Sequence, residues 1–305
     1  MISPAPATEV AEARYVGLDT WQDDAILAAL LDGQKRALAS VEAAIPALVH
    51  AARLAAGKLS AGGRLVYLGA GSPALISLGD ALEIPQTYGV PRDRIVLIFA
   101  GGRAITENLT GADEDNAELA RRDVAEAAIG PGDCVLAISA SGSTPYTVAG
   151  LEAARAAGAA TVGIAGNRGA PLLAAAEVAV LLDAGPEVIS GSTRMGAGTA
   201  QKAALNMLST LVGVHLGHVY DGLMVNVVAD NEKLHGRAAR IVMRITGVDQ
   251  EQARDALSLS EGAVKPAILI AAGATPAEAG ALLGQTSGNL RAALTMIGTA
   301  TPAMN

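Results

Sequence analysis

Residues 133–146 read DCVLAISASGSTPY. The first seven are apolar almost throughout rather than alternating, which suits a strand buried on both faces. The stretch then turns to glycine and hydroxyls, so it closes a strand and opens a helix. Four further runs have the same character: residues 64–69 (RLVYLG), 94–100 (RIVLIFA), 160–165 (ATVGIA) and 177–183 (EVAVLLD). Helical patterns separate them, and strand and helix in alternation give a doubly wound α/β sandwich with a five-stranded parallel sheet. Ligands of such sheets sit at the carboxyl ends of the strands. GAGSPA, AGGRAITE, SASGSTPY and AGNRGAP occupy those ends.

Outside the sheet, residues 1 to about 20 read as an extended arm. A helical pattern covers roughly residues 21–59, with Ile26, Leu30, Val41, Ile45 and Val49 at helix-like intervals. Helix returns from near Thr199 to about Gly217, and from about Asn231 to Thr246. The tail holds three amphipathic patches, EQARDALSLS, GAVKPAILIAAG and TPAEAGALLGQ, the last opened by the capping pair Thr275-Pro276. The division expected is an N-terminal arm and helix (1–60), an α/β domain (61–246) and a small helical C-terminal domain (247–305).

The 305 residues are 51% hydrophobic but only 2% aromatic, a palette of Ala, Val, Leu and Ile that fits helices around a buried parallel sheet. A net charge of -8 leaves no basic stripe for nucleic acid. The single cysteine, Cys134, sits in an apolar run and reads as an inert core residue. No zinc spacing or disulfide framework is present. The first fifteen residues lack a signal pattern, and no uninterrupted apolar run approaches a membrane span. A soluble, cytoplasmic protein is the expectation.

Several constellations carry chemistry. Ser141, Ser143 and Thr144 set three hydroxyls beside Gly142 at a helix start, either an ordinary Ser-rich cap or a nest for phosphate. Residues 185–201, GPEVISGSTRMGAGTAQ, place four glycines, hydroxyls and an arginine ahead of a helix, a setting that suits an anion or simply caps a buried helix. Lys233 and Arg237, in NEKLHGR, are four apart and share a helix face. The GAG at 69–71 lacks the third glycine of a dinucleotide fingerprint, which excludes a nicotinamide cofactor. Ser72 and Ser192 have no His/Asp relay in the text, and the four histidines have no partner at metal spacing.

GPEVISGSTRMGAGTAQ, the KAALNMLST behind it and NEKLHGR resemble the N-acetylmuramic acid 6-phosphate etherase family almost residue for residue. That family has the sugar isomerase (SIS) fold and is related to glucokinase regulatory proteins. The resemblance runs from Thr8-Glu9 to GAVKPAI and GNLRAAL. It implies a homodimer with a shared active site, a sugar-phosphate substrate and no cofactor. In DALEIPQTYG the residues Asp80, Glu83, Pro85, Thr87 and Gly89 match the family's DASECPPTFG, which implies Glu83 as a catalytic acid/base. The family's EGAED corresponds to TGADED at 110–115, where either Asp113 or Glu114 takes the second carboxylate's place; constant spacing favours Glu114. Gly71, Ser72, Ser139, Ser141, Ser143, Thr144, Ser192, Lys233 and Arg237 are the implied sugar-phosphate contacts.

This sequence departs from the family at GAGSPAL, where the family reads GAGTSGR. Pro73 stands for a serine and Leu75 for an arginine; Ser143 likewise replaces an arginine. The activity implied is cleavage of the D-lactyl ether of N-acetylmuramic acid 6-phosphate. The alternatives are a non-catalytic sugar-phosphate regulator, which the altered loop suits, or a sugar-phosphate isomerase.

Overall fold

The computed structural model describes residues 7–107 and 111–298; Thr110, at the head of the TGADED stretch, lies outside them. The chain divides into two compact units, residues 1–81 with 93–209, and residues 82–92 with 210–305.

The first unit is built on β1 (Leu65–Gly69), β2 (Ile95–Phe99), β3 (Cys134–Ile138), β4 (Ala160–Ala165) and β5 (Val178–Leu181), all parallel in the order β2-β1-β3-β4-β5. The apolar runs read from the sequence are these strands. Among the described residues, five α-helices lie wholly in this unit: α1 (Asp23–Ser60), α3 (Gly111–Glu114), α4 (Ala117–Glu126), α5 (Pro145–Ala156) and α6 (Pro171–Ala175). Two others, α2 (Gly71–Tyr88) and α7 (Gly196–His215), begin here and end in the second unit. Successive side chains of β1 and β3 point to opposite faces. Val66, Leu68, Val135 and Ala137 bury with Tyr146, Leu151 and Leu172 from α5 and α6. From the other face, the Tyr67 hydroxyl donates to Asp80 of α2 at 2.6 Å, and α1 lies along β1, β3, β4 and β5. Two covered faces explain why the central strands carry no polar alternation.

Residues 1–6 of the expected arm lie outside the described residues, and the rest of it is not extended. Ala7–Glu9, Ala13–Tyr15 and Leu18–Thr20 form short 3-10 turns, each closed by backbone hydrogen bonds such as Tyr15 N–H to the Glu12 carbonyl at 3.1 Å. By length and composition the 38-residue α1 is long and apolar enough to cross a membrane, although, as the sequence reading expects, no apolar run in it is uninterrupted: Asp32, Lys35, Arg36, Glu42 and Arg53 break it up. One face of α1 belongs to the core, where Ala37, Val41, Ala44, Leu48, Ala51 and Ala55 are buried.

The second unit takes the end of α2 and everything after Ser209. It contains the short antiparallel pair β6 (Val219–Tyr220) and β7 (Leu223–Met224), then α8 (Glu232–Thr246), α9 (Gln250–Leu259), α10 (Val264–Ala271), α11 (Pro276–Gln285) and α12 (Leu290–Ile297). The contacts therefore do not divide at 246/247. Leu234, Ala238, Ile241, Val242 and Ile245 of α8 share one apolar cluster with Ala253, Ala256, Ile268, Leu269, Ala279 and Leu294, so α8 packs with the tail. Reciprocal capping boxes start α9 (Asp249 with Gln252) and α11 (Thr275 with Glu278).

Candidate active site

The hydroxyl loop follows β3. Ser139 Oγ accepts from the Gly142 N–H at 3.0 Å and lies 2.9 Å from Thr144 Oγ1, while Ser141 Oγ accepts from the N–H and the hydroxyl of Ser143 at 3.2 and 3.1 Å. Gly142 has φ +75, and a Cβ there would come within 2.5 Å of Ala170 Cβ, so only glycine fits. Thr144 is the N-cap of α5, but its hydroxyl turns to Ser139 instead of capping the helix. The loop is thus a cluster of hydroxyls and backbone N–H groups at the start of a 12-residue helix, which favours an anion.

The neighbouring loop follows β1, whose Gly69 stands opposite Ile138 of β3. Gly71 opens α2 with φ +59, and a Cβ built on it would lie 2.8 Å from Glu114 Oε1. The bare glycine lets that carboxylate sit against the helix start, beside half-buried Ser72. Burial first, and the charge of Asp115 second, hold the half-buried Glu114 carboxyl above its ordinary value. Asp113 is placed elsewhere: it lines a groove of about 520 Å³ with Leu97, Leu119, Arg122 and Asp123. Pro73 falls in the first turn of α2, where its missing N–H costs the helix nothing but removes one donor for a ligand. Leu75 is 39% exposed.

The start of α7 is not open to a ligand. Helix begins at Gly196, three residues before Thr199, and the buried Glu187 carboxylate accepts from the Gly196 and Ala197 N–H groups at 2.9 and 2.8 Å. An internal anion therefore fills the place that the glycine-rich run offers. Ser192 lies half-buried in the preceding turn, its N–H bonded to the Ile189 carbonyl at 2.9 Å. Sequence reading passed over Glu187, since nothing in GPEV distinguishes a capping glutamate from a surface one. It also gave no role to Asp80, which accepts from Tyr67, Asn206 (2.7 Å) and Ser209 (2.9 Å) and so fixes α2 to β1 and α7.

The remaining residues belong to the second unit. Glu83 is exposed on α2. The turn after it is tied to the segment that leads into α8: Gln86 donates to Asp230 at 2.9 Å, the Gln86 carbonyl accepts from Val228 at 3.0 Å, and Asn226 donates to the Tyr88 carbonyl at 2.8 Å. Asn231 caps α8 by accepting from the Leu234 N–H at 3.0 Å. Lys233, exposed, stands in the first turn and Arg237, half-buried, one turn further in; neither makes an ion pair among the described residues. The structure thus places most of the named residues in two groups, one around Gly71, Glu114 and the hydroxyl loop, the other on the segment holding Glu83 and at the start of α8, and leaves Asp113 and Ser192 outside both.

A five-stranded parallel sheet, covered on both faces and with hydroxyl-rich loops at its carboxyl ends, defines a doubly wound α/β protein, and the SIS domain family matches residues 115–211. The chain is 49% identical over 264 residues to the N-acetylmuramic acid 6-phosphate etherase of Deinococcus radiodurans, covering 86% of each chain. It is 50% identical over 236 residues to that of Symbiobacterium thermophilum (77% of this chain, 78% of the relative). It is 42% identical over 293 residues to that of Serratia proteamaculans (95% and 98%). The chain belongs to the N-acetylmuramic acid 6-phosphate etherase family.

Proposed function

We propose that this protein cleaves the D-lactyl ether of N-acetylmuramic acid 6-phosphate to N-acetylglucosamine 6-phosphate and D-lactate. The observation that carries the reading is Glu114. Its half-buried carboxylate, with a raised pKa, rests against Gly71 beside a hydroxyl loop suited to phosphate. A carboxyl whose proton is held above the ordinary range is suited to proton transfer near neutral pH. In the open-chain sugar the C1 aldehyde acidifies the proton on C2. Glu114 removes that proton, the C3–O bond breaks, and Glu83 protonates the departing lactate oxygen. Water activated by Glu83 then adds at C3 of the unsaturated aldehyde, and a proton returns to C2. No redox partner enters this balance. D-lactate release from N-acetylmuramic acid 6-phosphate tests the reading directly: hexose 6-phosphate binding without lactate release would leave a regulator, and aldose–ketose interconversion an isomerase.

We further infer that the working site is shared by two chains. The two groups of site residues belong to different compact units, Gly71 and Glu114 to one and Glu83, Lys233 and Arg237 to the other, whereas C2 and C3 of a sugar are bonded neighbours. That division supports a site in which the Glu114 group of one chain meets the Glu83, Lys233 and Arg237 group of a second. The outer face of α1 supplies a surface for pairing. Leu27, Leu31, Leu38 and Ile45 recur at intervals of four and seven along it and are 66, 55, 44 and 43% exposed, an apolar stripe that suits a helix of a second copy.

A further inference from the structure

The loop after β4 joins the hydroxyl loop to the N-terminal arm. Asn167 Nδ2 donates to the Ser141 carbonyl at 3.0 Å, and Asn167 Oδ1 accepts from the Ala7 N–H at 3.0 Å. Each end of the amide has a partner of the matching kind, so the side chain is fixed in one orientation. The Gly166 N–H also donates to the Ala140 carbonyl at 2.9 Å, tying the two strand-end loops together through the backbone. Beyond Ala7 the arm is clamped on its other side. The Gly191 N–H donates to the Thr8 carbonyl at 3.0 Å, and Ser190 Oγ donates to the Glu9 carbonyl at 2.8 Å. Thr8 is only 2% exposed. A segment 160 residues away in sequence is therefore docked between the loop that holds Ser141 and the loop that holds Ser192.

We propose that Asn167 is a positioning residue that couples docking of the N-terminal arm to binding of the sugar phosphate. This rests on the reading of residues 139–144 as the phosphate loop. Ser141 presents its hydroxyl and the N–H groups beside it only while its carbonyl is held. The arm supplies the other half of that hold, since a side-chain amide anchored at both ends positions each partner against the other. Ligand binding that orders the hydroxyl loop thereby strengthens the arm's attachment, and a free arm loosens the loop, as linkage requires.

The test uses the full chain, with N-acetylglucosamine 6-phosphate as the probe. Asn167→Ala removes both bonds and is expected to weaken the probe about tenfold; Ala7→Pro removes only the arm's donor and is expected to weaken it about threefold. Because both act through one amide, the double variant should bind no more weakly than Asn167→Ala alone. Hydrogen exchange over residues 7–10 should slow on adding probe to the wild type and stay unchanged in Asn167→Ala. Additive losses, or arm exchange indifferent to the probe in the wild type, would overturn the coupling. Ala7→Pro leaves the loop's own residues intact, so it reports even where Asn167→Ala folds poorly. Thr144→Val separates the two readings. If it binds the probe as the wild type does, the phosphate loop is wrong and the coupling falls with it. If it weakens the probe while Asn167→Ala and Ala7→Pro do not, the coupling alone is wrong.

Discussion

Glu114 and Asp113 are adjacent in sequence, yet one carboxylate rests on the start of α2 and the other lines a groove with Arg122 and Asp123. Glu114→Gln and Glu83→Gln should each lower D-lactate formation by about 10²–10⁴-fold, since the amide keeps the volume and loses the titrating proton. Asp113→Asn should cost less than about tenfold; a loss equal to that of Glu114→Gln would assign the proton transfer to the wrong residue. The charge of Asp115 is the second cause of the raised Glu114 pKa. Removing it in Asp115→Asn should lower that pKa, so the acidic limb of kcat/KM should move to lower pH, whereas a limb that stays put would dissociate it from Glu114. Spacing alone favoured Glu114 but left Asp113 open. Which of two neighbouring carboxylates faces a glycine depends on the path of a four-residue helix, and that path is set by tertiary contacts outside the TGADED stretch.

At the scale of elements, the start of α7 shows how a correct sequence signal acquires a different meaning. The glycines and hydroxyls of residues 185–201 do open a helix whose N–H groups take an anion, but the anion is Glu187. Glu187→Ala leaves the buried Gly196 and Ala197 donors unmatched and should cost about 1–3 kcal/mol of stability in urea unfolding. An unchanged midpoint would mean that water replaces the cap. In the tail, the GAVKPAI pattern gives α10 but conceals that Lys265 is only 4% exposed, with Nζ 2.9 Å from His218 Nδ1 and donating to the Gly288 carbonyl at 2.8 Å. Burial lowers Lys265 to about 8, and burial with the Lys265 charge lowers His218 to about 4. Between pH 8 and the ordinary lysine value of 10.5 the unfolded chain holds a proton that the folded chain has released, so this group makes stability rise with pH. Lys265→Met should remove that part of the rise in Tm across the window; identical slopes in both proteins would contradict the shift. The strands were legible because burial on both faces leaves no polar alternation. The arm's turns and α12 were not, because short elements held by tertiary contacts carry little periodicity of their own.

Across the whole molecule, the site residues fall into two sets on two compact units, and the resemblance in sequence that named them could not say which set serves which sugar. A shared site requires a dimer, and the apolar stripe of α1 offers one surface for it. The most direct test mixes Glu83→Gln protein with Glu114→Gln protein after dissociating and reassociating the subunits, and measures D-lactate release. If each site draws Glu114 from one chain and Glu83 from its partner, every heterodimer has one site with both lesions and one intact site. Random pairing makes half the dimers mixed, so about a quarter of wild-type activity should return. A mixture that stays as inactive as its two parents, or a protein that light scattering finds monomeric while fully active, would place both carboxylates in one chain and contradict the shared site.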